Sequence, residues 1–282
     1  MSSMFIDTHA HLDADIYAHE LEGVIRRALQ ENVWIITVGS DIATSRRAIE
    51  IAEMFPEGVY AAVGLHPLKV PTDIKAEDKL VDLEAFREMA QHPKVVALGE
   101  TGLDFSGLPD AGRKNPGQPL AERHRQNQIN VLSAFLQMSK EFRLPLLLHC
   151  RDAHQEMLDL LETWDKTSVG FDARGIIHCF SGDWKQARRY FNLDFLVSLT
   201  GLITHAHFQA ELIRKAPLNR LVIESDCPHL TPEPWSIRRN EPSFLPRIAA
   251  SLAGIRGEPL SVIAEQTTAN VLRVFSRIKK PS

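Results

Sequence analysis

The chain has 282 residues, with 32 lysines and arginines against 36 aspartates and glutamates, and its net charge of −4 argues against coating nucleic acid by bulk charge. Apolar residues at 44% and charged residues at 24% are globular proportions that supply a core and exclude disorder, collagen and coiled coil. Three cysteines are too few for a secreted disulfide scaffold, no signal peptide precedes Asp7, and no apolar run reaches the roughly 18 residues of a membrane span, so a soluble cytoplasmic protein without a membrane partner is expected.

Short aliphatic or β-branched runs alternate with stretches of helical period, the pattern of a parallel sheet built from strand-helix units. In chain order the strand runs are Met4 to Asp7, Val33 to Val38, Val59 to Val63, Val95 to Leu98, Pro145 to Leu148, Gly175 to Ile177, Phe195 to Leu199 and Leu221 to Ile223. Helices are predicted over Leu21 to Asn32, Ala43 to Met54, Leu80 to Gln91, Gln128 to Phe142 and Ala153 to Trp164. Eight such units in 282 residues predict an α/β fold, a (β/α)8 TIM barrel forming a single domain over 1–282 with its core at 4–276. The rival, an open doubly wound sheet, calls for a phosphate-binding turn, and neither G-x-G-x-x-G nor G-x-x-x-x-G-K-[ST] occurs. In the widest gap between strands, Ser106 to Pro119 is rich in glycine and proline, which predicts an excursion over the barrel rim. Arg113 and Lys114 in that loop either meet an anionic substrate or are simply solvated.

Histidines and carboxylates fall directly after the strand runs, the face on which barrels build their sites. D-T-H-A-H closes the first run, G-L-H-P the third, G-E-T-G-L-D the fourth, H-C-R the fifth, H-C-F-S-G the sixth and E-S-D-C-P the eighth. His9 and His11, two apart, project from the same side of a strand and can share one metal. Glu100, His149, His178 and Asp226 join them at the same rim. Six donors exceed the three protein ligands usual for one catalytic zinc, so two divalent ions are expected, magnesium, manganese or zinc, bridged by Glu100. The expected division is His9, His11, Glu100 and Asp226 on one ion, with Glu100, His149 and His178 on the other. Cys150, Cys179 and Cys227 each follow a ligand, so pleating should turn all three outward, under the helices.

These motifs, taken together, resemble the TatD-like metal-dependent hydrolases, also called TatD deoxyribonucleases. The resemblance runs from D-T-H-A-H-L at Asp7 to Leu12 through G-L-H-P at Gly64, G-E-T-G-L-D at Gly99, H-C-R-D-A at His149 and H-C-F-S-G at His178. It continues in E-S-D-C-P at Glu224, R-N-E-P at Arg239 and N-V-L-R-V-F at Asn270, nearly the whole chain. It implies a (β/α)8 barrel, metal ligands at the six positions above, and a 3′ to 5′ exonuclease acting on single-stranded DNA. Thr101 and Ser225 depart from the usual aliphatic residue and threonine, which leaves substrate choice more open than chemistry. A second H-x-H, His205 and His207, cannot share an ion if it lies on a helix and is expected to be a surface pair.

Two divalent ions lower the pKa of bound water from about 16 towards 7, and the hydroxide so formed is expected to attack a phosphodiester. Asp226 is expected to orient it and take its proton, Glu224 to assist, and His66 either to hold the water or a phosphate oxygen or to cap its own turn. Arg151, Arg239 and Asn240 are the expected substrate contacts, and Asp104 the partner of a ligating histidine. Amide or ester hydrolysis of the amidohydrolase kind, removal of a D-amino acid from transfer RNA, and a silent binding component are the alternatives.

Overall fold

Eight parallel strands pair in sequence order: β1 Phe5–Ala10, β2 Val33–Val38, β3 Val59–Val63, β4 Val95–Asp104, β5 Leu146–Arg151, β6 Gly175–Ile177, β7 Phe195–Leu199 and β8 Leu221–Ile223. The computed structural model describes residues 4–72, 81–108, 119–166, 174–205, 208–235 and 238–279. The sheet closes on itself beyond β8, where Asp226 N donates to His9 O at 2.9 Å, His11 N donates to Cys227 O at 2.8 Å, and Ala10 bridges Cys227. Helices return the chain between strands: α1 Leu21–Gln30, α2 Ile42–Glu53, α3 Leu83–Ala90, α4 Pro119–Phe142, α5 His154–Lys166, α6 Trp184–Asn192 and α7 Ala210–Lys215. α8 Leu245–Arg256 and α9 Leu260–Val274 complete the ring. Two capping boxes set helix starts, Asp41 with Thr44 on α2 and Asp183 with Gln186 on α6.

Strand pleating divides the core in two. Ile6, Ile36, Val38, Ala62, Leu147, Ile176, Leu196 and Val222 point into the barrel, and Val271, Val274, Phe275 and Ile278 pack against that set. Their neighbours along the strands, such as Ile35, Ala61, Leu146, Val197 and Ile223, face the surrounding helices. Burial on both faces explains why the strand runs read as continuous apolar stretches rather than as alternation.

Strands β2, β3, β6, β7 and β8 have the expected limits, whereas β1, β4 and β5 run further, into the chemistry-bearing motifs. β4 continues through G-E-T-G because both glycines lie against β5. Gly99 (φ +142°) and Gly102 (φ +150°) adopt backbone that other residues rarely take, and a Cβ there would stand 2.3 Å from Leu147 O and 2.0 Å from His149 O. Residues that look like a strand break therefore prolong the strand, with a shift of register between Leu98 and Thr101. Helix α4 begins at Pro119, well before the expected Gln128. Residues 109–118 of the expected rim loop, Arg113 and Lys114 among them, lie outside the described residues. Among the described residues no helix is long and apolar enough to cross a membrane.

Candidate metal centre

Strand ends bring the six expected ligands together, with Glu100 in their midst. Its Oε2 lies 3.5 Å from His9 Nε2 and 3.7 Å from His11 Nε2, while Oε1 lies 2.8 Å from His149 Nδ1 and 3.8 Å from His178 Nε2. Asp226 Oδ1 stands 4.0 Å and 3.8 Å from the same nitrogens of His9 and His11, which are 3.2 Å apart. Donors 2.1 Å from an ion at a tetrahedral angle would be about 3.4 Å apart. The 3.2–4.0 Å spacings around His9, His11, Glu100 and Asp226 bracket that value, so these side chains fit a divalent cation.

Protonation favours the same reading. Burial is the largest influence on His9 and His11, and it lowers both, keeping the imidazoles neutral as metal ligation requires. His11 Nδ1 donates to Val38 O at 3.2 Å, which leaves a lone pair on Nε2, the atom that faces Glu100. Burial alone would raise Glu100, but His9, His149 and His66 hold its carboxyl well below the usual range. His149 is gripped from both sides, Nδ1 by Glu100 and Nε2 by Asp104 Oδ2 at 3.0 Å, and these carboxylates raise it despite its burial. Burial lowers His178 too, yet Glu224, Asp226 and Glu100 outweigh it and hold the ring up to about 10. A proton on His178 offsets the carboxylates here, and a cation bound by that ring would replace it.

Glu224 is fully buried, beneath the rim. Its Oε1 accepts from Cys179 N at 2.7 Å, Oε2 accepts from Thr8 Oγ1 at 3.2 Å, and His178 Nδ1 is 2.8 Å from Oε1. Glu224, expected to assist at the nucleophile, lies behind His178. Asp104 lies where a partner of a ligating histidine was expected, and Gln128 of α4 fixes its backbone by accepting from Asp104 N and donating to Asp104 O. His66 caps its own turn, one of its two expected roles, and turns its other nitrogen towards Glu100. Its Nδ1 accepts from Leu68 N at 3.1 Å, capping the turn, while Nε2 lies 3.3 Å from Glu100 Oε1.

The expected substrate contacts separate. Arg151, the last residue of β5, is exposed at the rim. Asn240 is completely buried, donating to Ser225 O at 2.8 Å and to His229 O, so it braces the backbone behind the site and does not reach a ligand. Arg239 packs over the Tyr17 ring at 4.6 Å, donates to Ile16 O at 3.2 Å and pairs with Glu20 at 2.6 Å. It ties the segment after β8 to the segment after β1, a use that the R-N-E-P motif did not reveal. Cys150 and Cys227 are buried as expected, but Cys179 is not turned away. Its φ of +42° breaks the alternation, and its sulfur shares a cluster with His178 and Asp226 whose donor atoms all lie within 4.8 Å. His205 is an exposed residue beside Glu233, and His207 lies outside the described residues.

A cavity of about 390 Å³ opens over the centre, walled by His11, His66, Glu100, His149, His178 and Asp226, and also by Asp13, Ser40, Lys69 and His229, which sequence reasoning left without a role. Asp13 and His229 close the motifs D-T-H-A-H-L-D and D-C-P-H and could have been flagged by position. Ser40 and Lys69 carry no such signal.

The family model described as TatD related DNase matches residues 6–276. A Bacillus subtilis (strain 168) protein named uncharacterized metal-dependent hydrolase YabD is 38% identical over 275 residues, spanning 96% of this chain and 99% of that protein. The 3′-5′ ssDNA/RNA exonuclease TatD of Salmonella typhimurium is 31% identical over 278 residues, spanning 95% and 98%. The crystal structure of YJJV, a TatD homologue from Escherichia coli K12, superposes with a TM-score of 0.82 at 30% identity, covering 98% of this chain and 99% of that one. The chain belongs to the TatD-related DNase family and is a metal-dependent hydrolase on a (β/α)8 barrel.

Proposed function

We propose that this protein is a deoxyribonuclease that shortens single-stranded DNA from its 3′ end with two divalent ions, magnesium, manganese or zinc. The observation that carries the reading is Glu100, whose Oε2 faces His9 and His11 while Oε1 faces His149 and His178. A carboxylate used at both oxygens is the bridge that a two-ion centre needs. In this reading His9, His11, Glu100 and Asp226 would hold one ion, and Glu100, His149 and His178 the other. Relatives named 3′-5′ ssDNA/RNA exonuclease support the substrate class and add RNA as a second candidate. The whole barrel acts as one catalytic domain, and its unpaired cysteines suit a reducing cytoplasm.

Divalent ions at such a centre polarise a phosphoryl oxygen and activate water for in-line displacement. The chain's own groups then divide the work. Asp226, whose Oδ1 stands 4.0 Å and 3.8 Å from His9 and His11, would lie beside the activated water and take the nucleophile's proton. His66 Nδ1 accepts from the Leu68 N–H, so its proton sits on Nε2, which faces Glu100 Oε1 at 3.3 Å and would donate to a phosphate oxygen brought to the centre. Glu224 behind His178 and Asp104 behind His149 fix the two rings.

Chelator-stripped protein, incubated with 5′-labelled single-stranded DNA, RNA, a D-aminoacyl ester and simple phosphoesters while each ion is added back, tests the reading. The expected result is an ion-dependent ladder of DNA shortened from the 3′ end. Turnover of the aminoacyl ester with intact DNA would overturn it.

A further inference from the structure

We propose that Lys69 binds the phosphate adjacent to the scissile one, so that the chain prefers an oligonucleotide over a lone phosphodiester. The assignment rests on the nuclease reading above and names a substrate contact within it. Among the described residues that line the cavity, Lys69 is the single lysine or arginine; the rest of their charge is carboxylate and imidazole. Lys69 ends the short 3-10 turn Pro67–Lys69, and its N–H donates to His66 O at 2.9 Å. It is thereby tied to the residue whose Nε2 lies 3.3 Å from Glu100, beside the centre and not in it.

The ammonium is held in place before any ligand arrives. Nζ donates to Ser40 Oγ at 2.8 Å and to Asp41 Oδ2 at 2.6 Å, while the side chain remains 43% exposed. An ammonium has three N–H donors, and two of them are used here, which leaves one for a ligand. Asp41 is itself fixed, its other oxygen accepting from Thr44 N at 2.8 Å and Thr44 Oγ1 at 2.7 Å at the start of α2, so the pair holds the ammonium at one place on the wall. A phosphate oxygen is the acceptor that completes this arrangement, since it brings negative charge to a fixed cation in a partly desolvated wall. A substrate with a single phosphodiester occupies the centre and leaves Lys69 unused. A chain with a neighbouring phosphate uses both.

The test compares wild type with Lys69→Met, Lys69→Arg and Ser40→Ala, using bis(4-nitrophenyl) phosphate and a single-stranded oligonucleotide over a range of salt, with bound metal measured for each protein. In Lys69→Met, kcat/KM for the oligonucleotide should fall about tenfold more than for the small diester, chiefly through KM, as one lost charged contact predicts. The plot of log affinity against log salt should flatten by about 0.7, the release of one counterion from a single strand. Lys69→Arg should recover most of the preference, and Ser40→Ala should lose part of it. Equal losses on both substrates, or no loss on the oligonucleotide, overturn the assignment of Lys69 alone. A wild-type protein that hydrolyses the small diester but never the oligonucleotide overturns the nuclease reading, and this assignment with it.

Discussion

Replacing Asp104 by asparagine removes a charge from behind His149 while keeping the shape of the side chain. The carboxyl is 1% exposed; Oδ2 faces His149 Nε2 at 3.0 Å and Oδ1 accepts from Ser106 N at 2.9 Å. Burial alone would raise its pKa, yet His149 and Ser106 outweigh that and bring it from 3.8 to about 2. At about 1.4 kcal/mol per unit the shift corresponds to roughly 2 kcal/mol, and screening by water in the open cavity reduces it to about 1–2 kcal/mol. A depressed carboxyl stabilises fully above its unfolded value near 4 and ceases to as pH falls through about 2. Chelator-treated Asp104→Asn should therefore unfold in urea with about 1–2 kcal/mol less stability at pH 7, a difference that narrows below pH 4. Loss of the carboxylate behind a ligating histidine should also weaken metal binding by about 10- to 100-fold, read by competition with a chromophoric chelator. An unchanged urea midpoint together with unchanged affinity would refute the idea that Asp104 holds His149.

Glu100→Ala removes the proposed bridge and should abolish turnover and lower the metal content found by elemental analysis; a fully active variant excludes the two-ion arrangement. Asp226→Asn should keep its thermal transition while activity falls by a factor of about 10² to 10⁴, the usual contribution of a general base. An unchanged rate discards that role. Arg239→Ala removes a packed cation–aromatic contact and an ion pair and should cost about 1–3 kcal/mol, measured as a lowered urea midpoint, while the salt dependence of DNA binding stays the same. A flattened salt dependence would restore Arg239 as a phosphate contact. His178, held up to about 10, must release its proton before it can ligate, so apparent metal affinity should climb steeply between pH 6 and pH 8. Without metal the sign reverses: the raised ring stabilises the fold fully below its unfolded value near 6.5, and that contribution disappears as pH rises through about 10. A flat affinity profile over that range would remove the proton exchange.

The barrel and its donor set were legible because both are written locally. Each strand is a short apolar run, and each donor follows such a run by a few residues, so eight-fold repetition and the rim position needed no knowledge of distant contacts. What could not be read depends on backbone geometry or on partners far away in sequence. Cys179 turns inward because its φ is +42°, and no residue type announces that. Arg239 looks like a free cation in R-N-E-P, but Glu20 and Tyr17, more than two hundred positions earlier, claim its guanidinium. Glu224 and Asp226 have the same spacing as two inward residues of one strand, yet Thr8 and Cys179 draw Glu224 down behind His178. G-E-T-G reads as a break unless the closeness of β5 is known.

Closure of the barrel and assembly of the centre rest on the same hydrogen bonds. The first and last strands meet through Asp226 N to His9 O, His11 N to Cys227 O and Ser225 N to Asp7 Oδ1 at 2.8 Å. Three of those residues, His9, His11 and Asp226, carry the proposed ligands of one ion, so their side chains converge only when the ends of the chain have been joined. The donors after the inner strands, Glu100 and His149, need only neighbouring strands to come together. If the proposed ligands hold a cation, it would act as a clamp across the seam, and the free energy of binding it would add to that of closing the sheet. The last pair of the ring has an isolated bridge in place of a regular ladder, so a cation held by the proposed ligands on either side would supply what the ladder does not.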